Sequence, residues 1–183
     1  ALLMIGGEFD LSAGVMTGSC GLLMGILATE VGMNLWLAIL ITNQAGVARG
    51  YFSEELIVNV HDQLKRDLQD AQLDAIYYCA HHPSVGEPPY RFDCDCRKPK
   101  PGLINRAAKD FEIDLSASWM VGDRYGDIEL ARNAKLHSAL VLSGYGRGEW
   151  EFQRGAWSME PEVVAENLLE AVKMIIDRDG PTA

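Results

Sequence analysis

Cysteine and histidine residues stand in two close pairs near the middle of the chain. Cys79 and His81 form a Cys-x-His pair, and Cys94 and Cys96 form a Cys-x-Cys pair. Three thiolates and one imidazole make a closed tetrahedral Zn²⁺ site, and a closed site of this kind is structural rather than catalytic. His82 is the alternative imidazole ligand, and a disulfide is the less favoured interpretation of the cysteines.

A carboxylate follows an apolar run at Asp123, in the sequence Gly122-Asp123-Arg124. Carboxylate, phosphate and water oxygens together provide the octahedral coordination that Mg²⁺ prefers. Asp127, four residues later, either supports the same ion or caps the next helix. Arg124 is placed to contact a phosphate oxygen, with a surface charge as the alternative. We therefore expect a Mg²⁺-phosphate site around Asp123.

Polar and cationic residues that suit phosphate chemistry stand at two further places. The loop TNQAGVARG begins at Thr42 and offers a hydroxyl, amide groups and free backbone N–H groups. Arg97 and Lys98 follow the Cys-x-Cys pair directly. Lys98 is placed to neutralise a transferring phosphoryl group, and Arg97 to hold a second phosphate or a sugar in forked geometry. A solvated basic turn is the alternative for this pair.

Alternating apolar runs and helical segments predict the scaffold. Helical periodicity marks the stretch after Ser53, which is a suitable N-cap. The runs typical of buried parallel strands are LAILIT, AIYYCA, ASWMVGD and HSALVLSG. This alternation predicts an α/β fold with a Rossmann-like, three-layer parallel sheet. Because ligands bind at the carboxyl ends of such strands, we expect Thr42 and Asp123 to share one edge.

The order of these motifs resembles one enzyme family. Thr-Asn-Gln, then C-x-H…C-x-C-R-K-P-x-P-G, then V-G-D-R-x-x-D is similar to the D-glycero-D-manno-heptose 1,7-bisphosphate 7-phosphatases of the haloacid dehalogenase superfamily. The histidinol-phosphate phosphatases are a more distant match. The resemblance runs from about Ile39 to Arg178. The resemblance implies a cytoplasmic hydrolase that uses Mg²⁺ and carries a structural Zn²⁺. The implied substrate is a sugar phosphate, from which the enzyme removes the 7-phosphate in heptose biosynthesis.

The resemblance also implies a role for each matching residue. Thr42 and Lys98 correspond to the groups that stabilise the phosphoryl group, and Asp123 to the Mg²⁺ ligand. The residues that correspond to the family's substrate-binding positions are Asn43, Gln44, Ala45, Arg97 and Arg124. Arg124 stands where the family often has a lysine.

The start of the chain departs from the family pattern. The family begins with a strand that ends in Asp-x-Asp-Gly, whose first aspartate attacks phosphorus and whose second is the general acid and base. Here residues 3–39 instead resemble a membrane-spanning permease segment of sugar ABC transporters, and they include Cys20. The acids of this stretch, Glu8, Asp10 and Glu30, do not form the motif. We expect the first strand of the fold to be missing or replaced.

This departure sets the expected domain organisation and activity. Residues 1–38 are predicted to be foreign to the phosphatase fold and to contact a membrane only if they insert, and residues 39–183 to form the phosphatase domain. The initial Ala suggests a fragment, and the permease-like segment in the place of the first strand suggests a chimera or a mis-joined fragment. There are therefore two alternatives to an active heptose-bisphosphate phosphatase. One is a non-catalytic, zinc-stabilised remnant that binds a sugar phosphate, and the other is a histidinol-phosphate phosphatase.

The C-terminus offers a second place for the missing motif. Asp177-Arg178-Asp179-Gly180 resembles it, as in a circularly permuted domain. The apolar positions of the preceding segment keep one helical face without a break, so we favour a helix that ends near Gly180.

The charge balance limits the partners. The net charge of −10 argues against nonspecific binding of nucleic acid, which requires clustered Lys and Arg. It is compatible with a small sugar phosphate, because a few local cations can hold one phosphate. We expect a monomer.

Overall fold

The computed structural model of the chain describes residues 2–7, 37–68 and 73–179. Five residues singled out in the sequence lie outside this part: Glu8, Asp10, Cys20, Glu30 and Gly180. Residues 8–36, which make up most of the permease-like stretch, lie outside it as well.

A parallel sheet forms the centre of the molecule. Its six strands within the described residues are β1 (Leu2–Gly7), β2 (Leu37–Asn43), β3 (Ala75–Cys79), β4 (Trp119–Gly122), β5 (His137–Val141) and β6 (Val163–Ala165). They lie in the order β3-β2-β1-β4-β5-β6, and every neighbouring pair is parallel. The predicted α/β fold with a Rossmann-like sheet is therefore confirmed.

Helices cover both faces of the sheet. Ser53 caps the first of them as predicted, since its hydroxyl accepts a hydrogen bond from the Leu56 backbone N–H at 3.2 Å. The helices of the described residues are α1 (Glu54–Asp67), α2 (Gly102–Phe111), α3 (Tyr125–Ala134), α4 (Gly146–Phe152) and α5 (Leu168–Asp179). None of them combines the length and the hydropathy that a bilayer crossing requires.

Alternate residues of β4 show how the layers are arranged. Met120 packs into an apolar cluster with α2 and α3, whereas Trp119 and Val121 pack into another with α5. Since successive side chains of a strand point to opposite faces, these helices lie on opposite sides of the sheet. On the α5 side, Leu40 of β2 packs against Leu64 of α1. The three predicted layers are thus formed.

Strand β1 decides between the two expectations for the first strand. The strand is not missing, because Leu2–Gly7 fills the central place of the sheet, and since this run lacks the family's motif the expectation of a replaced strand is confirmed. This strand is in register with β2, from Leu2 opposite Leu37 to Gly7 opposite Thr42, and it pairs with β4 on its other side. A central strand needs a short run of residues whose backbone can pair on both sides. The run LLMIGG meets this requirement although it contains no acidic residue.

The predicted domain boundary at residue 38 is also wrong for the described residues. Residue 38 lies inside β2, and residues 2–7 belong to the same sheet as the proposed phosphatase domain. The amino-acid composition changes near residue 39, but this change does not coincide with the edge of the fold.

The aspartates of the C-terminal motif belong to α5. The helix continues through Asp179, as the helix-end interpretation predicts. The Asp179 carboxylate accepts a hydrogen bond of 2.7 Å from the indole N–H of Trp119, the first residue of β4. Asp179 therefore lies at the amino edge of the sheet, opposite the edge at which Asp123 follows β4, and the permuted arrangement is wrong.

Helix α5 provides a direct test of this packing. Ile175 is fully buried, whereas its neighbour Met174 is 44 % exposed. We expect Ile175→Ala to lower the free energy of unfolding by about 2–5 kcal/mol, because it leaves a cavity between α5 and the sheet. Met174→Ala, the matched control, should change it by about 0.5 kcal/mol or less. Urea unfolding measures both, and equal losses would contradict the helical placement.

Candidate functional site

The strand order places a crevice at the centre of the sheet. The order reverses between β1 and β4, and ligands of such sheets bind at this switch point, outside the carboxyl ends of the strands. Thr42 and Asn43 end β2 and Asp123 follows β4, so these predicted site residues share that edge.

Lys98 is held at this edge by contacts with strand β2 and with helix α3. Its backbone N–H donates to Asn43 Oδ1 at 3.1 Å, and Asn43 Nδ2 donates back to the Lys98 carbonyl at 3.5 Å. Its ammonium donates to Asp127 Oδ1 at 2.7 Å and to the Ile41 carbonyl at 3.4 Å. The Asn43 amide, predicted to contact substrate, is thus used to position Lys98.

Asp127 is the ion-pair partner of Lys98. The side chains are 5 % and 2 % exposed for Lys98 and Asp127, so the pair is almost completely removed from water. Helix α3 has no side-chain cap hydrogen bond, so the interpretation of Asp127 as a helix cap is wrong. The carboxylate lies against Gly122, where an added Cβ would collide with it. A glycine at the end of β4 therefore leaves the space that this ion pair needs.

Asp123 has one bonded and one free carboxylate oxygen. Oδ2 accepts a hydrogen bond of 3.0 Å from the Tyr145 backbone N–H. Gly144, at φ 63°, allows the loop after β5 to come this close, because a Cβ there would collide with Oδ2. Burial raises the pKa of Asp123, and the Tyr145 N–H partly offsets that effect.

The carboxylates fit a divalent cation. Asp123 Oδ1 and Asp127 Oδ2 are both buried, and neither has a hydrogen-bond partner in the part of the chain that the structure describes. Buried carboxylate oxygens are costly unless a donor or a cation compensates them. Mg²⁺ binds oxygen ligands of this kind, so the residues present fit the ion that the sequence predicts.

Arg124 belongs to a small network beside Asp123 that the sequence did not reveal. Its guanidinium lies 3.7 Å from the centre of the Tyr145 ring, and its Nη1 is 3.5 Å from Glu149 Oε1. The other Glu149 oxygen accepts a 2.6 Å hydrogen bond from the Tyr125 backbone N–H. The Gly-Tyr-Gly sequence after β5 was the available signal for this network, since it marks a tight loop at the same edge.

The loop after β2 is held close to its strand. Thr42 is completely buried, and its hydroxyl accepts a hydrogen bond of 3.3 Å from Gln44 Nε2. The Gln44 backbone N–H donates to the Cys79 carbonyl at 2.7 Å, and the Ala45 carbonyl accepts from the Arg49 N–H at 3.0 Å. Gln44 thus links the end of β2 to the end of β3.

The predicted zinc ligands are brought together. Cys79, His81, Cys94 and Cys96 place their ligand atoms within 4.8 Å of one another. The Sγ atom of Cys79 lies 3.5 Å from that of Cys94 and 3.3 Å from that of Cys96, and His81 Nδ1 is 3.3 Å from Cys96 Sγ. Sulfur ligands 2.3 Å from Zn²⁺ would stand about 3.8 Å apart at tetrahedral corners, so the cluster has nearly the right size.

The electrostatics of this cluster also suit a cation. Burial raises the pKa of the Cys79 and Cys96 thiols, so the protein alone does not favour their thiolates. A divalent cation reverses this preference, because a coordinated thiol is deprotonated. His82 is not part of the cluster, since its Nδ1 accepts hydrogen bonds from the backbone N–H groups of Ser84 and Val85.

Residues 79–98, called the zinc loop here after the predicted ligands that they carry, lie against the loop after β2. Gly86, at φ 90°, sits on the Ala48 carbonyl so closely that a Cβ would collide with it. Arg97 Nη1 donates to the His81 carbonyl at 3.3 Å, which fixes this cation on the same loop. Burial, together with Arg97 and Arg49, lowers the pKa of His82, so this corner has a positive potential.

Fold and site together define a protein of the HAD type. Residues 95–171 match the HAD-hydrolase-like family model. A D-glycero-alpha-D-manno-heptose-1,7-bisphosphate 7-phosphatase of Photorhabdus laumondii is 36 % identical over 140 residues, which cover 75 % of this chain and 72 % of the relative. The chain belongs to this family of heptose-bisphosphate phosphatases.

Two further comparisons agree with this assignment. A beta-anomer 7-phosphatase of Pasteurella multocida is 43 % identical over 109 residues, 58 % of this chain, and the match spans only 59 % of that relative. The crystal structure of the B. bronchiseptica D,D-heptose 1,7-bisphosphate phosphatase with magnesium and phosphate superimposes with a TM-score of 0.73 at 26 % identity, covering 98 % of this chain and 99 % of that one. The comparisons do not support the predicted permease resemblance of residues 3–39.

The adjacent histidines test the metal cluster. We expect wild-type chain to carry about one Zn²⁺ and His81→Ala to lose it during dialysis against a chelator, because the tetrahedron then lacks a ligand. The matched control, His82→Asn, should keep its zinc. Atomic emission spectroscopy measures the metal. Loss of zinc from the His82 variant but not from the His81 variant would show that the ligand is wrongly assigned.

The buried ion pair tests the link between Lys98 and α3. We expect Asp127→Ala to lower the free energy of unfolding by about 3–5 kcal/mol, because it leaves the Lys98 ammonium buried without its partner. The double variant Lys98→Met/Asp127→Leu should recover most of that loss, since both charges are then absent. Urea unfolding decides between these outcomes. A double variant as unstable as Asp127→Ala would indicate that packing and not charge sets the cost.

Proposed function

We propose that this chain is a Mg²⁺-dependent phosphomonoester hydrolase that removes the 7-phosphate of D-glycero-D-manno-heptose 1,7-bisphosphate. The observation that carries the proposal is the grouping of buried Lys98 with two incompletely bonded carboxylates at the switch point of the sheet. The names of the relatives supply the substrate class. The proposed setting is heptose biosynthesis in the cytoplasm, with the chain acting as a monomer.

The chemistry of phosphoryl transfer explains why these residues matter. The transferring group spreads negative charge over its equatorial oxygens, so catalysis depends mainly on positioning and on fixed positive charge. Lys98 supplies that charge, and its position is set by its hydrogen bonds to Asn43, to Asp127 and to the Ile41 carbonyl of β2. The Thr42 hydroxyl lies at the end of the same strand and is the neutral donor of the proposed phosphate site.

The carboxylates define the proposed metal position. Asp123, with Asp127 beside it, would hold Mg²⁺, and the zinc cluster would be purely structural because its four ligands leave no open position. When bound, Mg²⁺ supplies Lewis-acid polarisation of a phosphate oxygen and neutralises its charge. Arg97, carried on the zinc loop, is the proposed contact for the rest of the substrate.

One observation favours a second candidate function, namely binding of the sugar phosphate without hydrolysis. Strand β1 occupies the place from which the family's nucleophile comes, but Leu2–Gly7 contains no carboxylate. Without an attacking group the site would still hold a phosphate through Lys98 and a cation, because those contacts do not depend on β1 side chains.

Phosphate release and binding separate the two functions. For an active enzyme we expect Mg²⁺-dependent release of phosphate from heptose 1,7-bisphosphate, with a loss of about 10²-fold or more for Lys98→Ala, which removes the fixed positive charge. Asp177→Asn is the control, because Asp177 is exposed on α5, and it should keep wild-type activity. Molybdate detection of phosphate measures the rate, with histidinol phosphate as the competing substrate.

The same samples identify the alternatives. Binding of heptose bisphosphate by titration calorimetry without phosphate release would establish the non-catalytic function. Faster release from histidinol phosphate would assign the other substrate. A chain that neither binds nor hydrolyses either compound would refute the proposed function.

A further inference from the structure

Helix α3 begins at the carboxyl edge of the sheet, directly after Asp123 and Arg124. Arg124 occupies the N-cap position but makes no side-chain cap hydrogen bond, so the local sequence does not supply an acceptor for the first N–H groups of the helix. The acceptor comes from α4, since Glu149 Oε2 accepts a hydrogen bond of 2.6 Å from the Tyr125 backbone N–H. Glu149 is buried, and a carboxylate at the start of a helix is favoured by the helix dipole. Glu149 therefore caps a helix that does not contain it.

The Arg124 guanidinium contacts two groups of the segment that follows β5. Its Nη1 is 3.5 Å from Glu149 Oε1, and its central carbon lies 3.7 Å from the centre of the Tyr145 ring. These contacts use different properties of the cation, because the carboxylate attracts its charge and the ring packs against its plane. The Arg124 side chain is still 33 % exposed, so it is oriented by these contacts without being enclosed.

The same segment also contacts the predicted Mg²⁺ ligand. The Tyr145 backbone N–H donates to Asp123 Oδ2 at 3.0 Å. Glycines on both sides of Tyr145 make this approach possible: a Cβ on Gly144 would collide with Asp123 Oδ2, and a Cβ on Gly146 would collide with the Val141 carbonyl. One short segment thus fixes the carboxylate and the neighbouring cation at the same time.

We propose that Tyr145 and Glu149 are positioning residues of the hydrolytic site, which hold Arg124 in place for a phosphate oxygen of the substrate and require an arginine at this position. The inference rests on the proposed function for the identity of the ligand. A guanidinium is planar and carries five N–H donors, so it can pack on a ring, face a carboxylate and bind a phosphate together. The compact ammonium of a lysine has no plane, so it would retain the charge but lose the position.

Holding the cation before the substrate arrives affects affinity. A mobile arginine side chain loses rotamer freedom when it binds a ligand, whereas a side chain that is already held loses little. Removal of the Tyr145 ring or of the Glu149 charge should therefore weaken phosphate binding, although the proposed role gives neither group a contact with the substrate.

Binding of heptose 1,7-bisphosphate, measured by titration calorimetry without added Mg²⁺, tests this role. We expect Tyr145→Leu and Glu149→Gln each to weaken binding about three- to tenfold, the range of a partly buried cation–π contact. Tyr145→Phe keeps the ring and should recover most of the affinity that Tyr145→Leu loses. Glu149→Gln keeps an acceptor oxygen for the Tyr125 N–H, so α3 should remain capped. Glu151→Gln, which changes an exposed glutamate of the same helix, is the matched control and should bind as the wild type does.

A double-variant cycle separates positioning from a general effect on the fold. Arg124→Lys should weaken binding in the wild-type chain but add little in a chain that already carries Tyr145→Leu, because both changes remove the same orientation of the cation. Additive losses would show that Tyr145 acts independently of Arg124 and would overturn the inference.

The outcomes distinguish this inference from the proposed function. If the wild-type chain binds the bisphosphate and both Tyr145→Leu and Glu149→Gln keep its affinity, the inference is overturned and the proposed function stands. A wild-type chain that neither binds nor hydrolyses the bisphosphate would refute the proposed function.

The orientation of Arg124 is measured without any ligand by the side-chain N–H signal of this residue in ¹H–¹⁵N correlation spectra. We expect the signal to move in Tyr145→Leu, which removes the ring current of the aromatic side chain, and to stay close to its wild-type position in Tyr145→Phe. A signal that is the same in all three chains would overturn the positioning role, whether or not the chain binds the bisphosphate.

Discussion

The buried ion pair between Lys98 and Asp127 is the contact on which the arrangement of the site depends. It joins the end of the zinc loop to α3, and the additional bonds of Lys98 to Asn43 and to the Ile41 carbonyl join both to β2. Two charges removed from water are tolerated only when they are well paired. The requirement for that pairing therefore fixes a cation at the carboxyl edge of the sheet.

The cysteine cluster performs a related task for a loop that has few apolar residues to bury. Cys79, at the end of β3, is brought against Cys94 and Cys96 from the far end of the loop, directly before Arg97 and Lys98. A closed four-ligand cluster can stabilise a segment that cannot bury enough apolar surface by itself. The cluster and the ion pair consequently constrain the same short stretch from both of its sides.

Much of this arrangement could be predicted from the sequence. Strand ends are visible as apolar runs followed by polar residues, so Thr42 and Asp123 were expected at one edge, and the Cys-x-His and Cys-x-Cys spacings identified the cluster. The role of Asp127 was not predictable, because its position in the sequence is compatible both with support of the Mg²⁺ site and with a helix cap, and it does not reveal an ion pair. Only the approach of Lys98, 29 residues away in the chain, decides between them. The network of Glu149 and Tyr145 was missed for the same reason.

Strand β1 shows why fold and catalysis have to be argued separately. The missing Asp-x-Asp motif suggested a missing or replaced strand, and the strand is replaced because a central parallel strand is selected by backbone pairing on both sides, which does not require that motif. The sheet therefore accepts LLMIGG between β2 and β4, and the overall fold matches a heptose-bisphosphate phosphatase across nearly its whole length. The nucleophile is a property of side chains at the end of that strand, and similarity of fold does not transfer it. The proposed phosphate-binding half of the site is built on β2, β4 and the zinc loop, and none of its contacts depends on the side chains of the central strand.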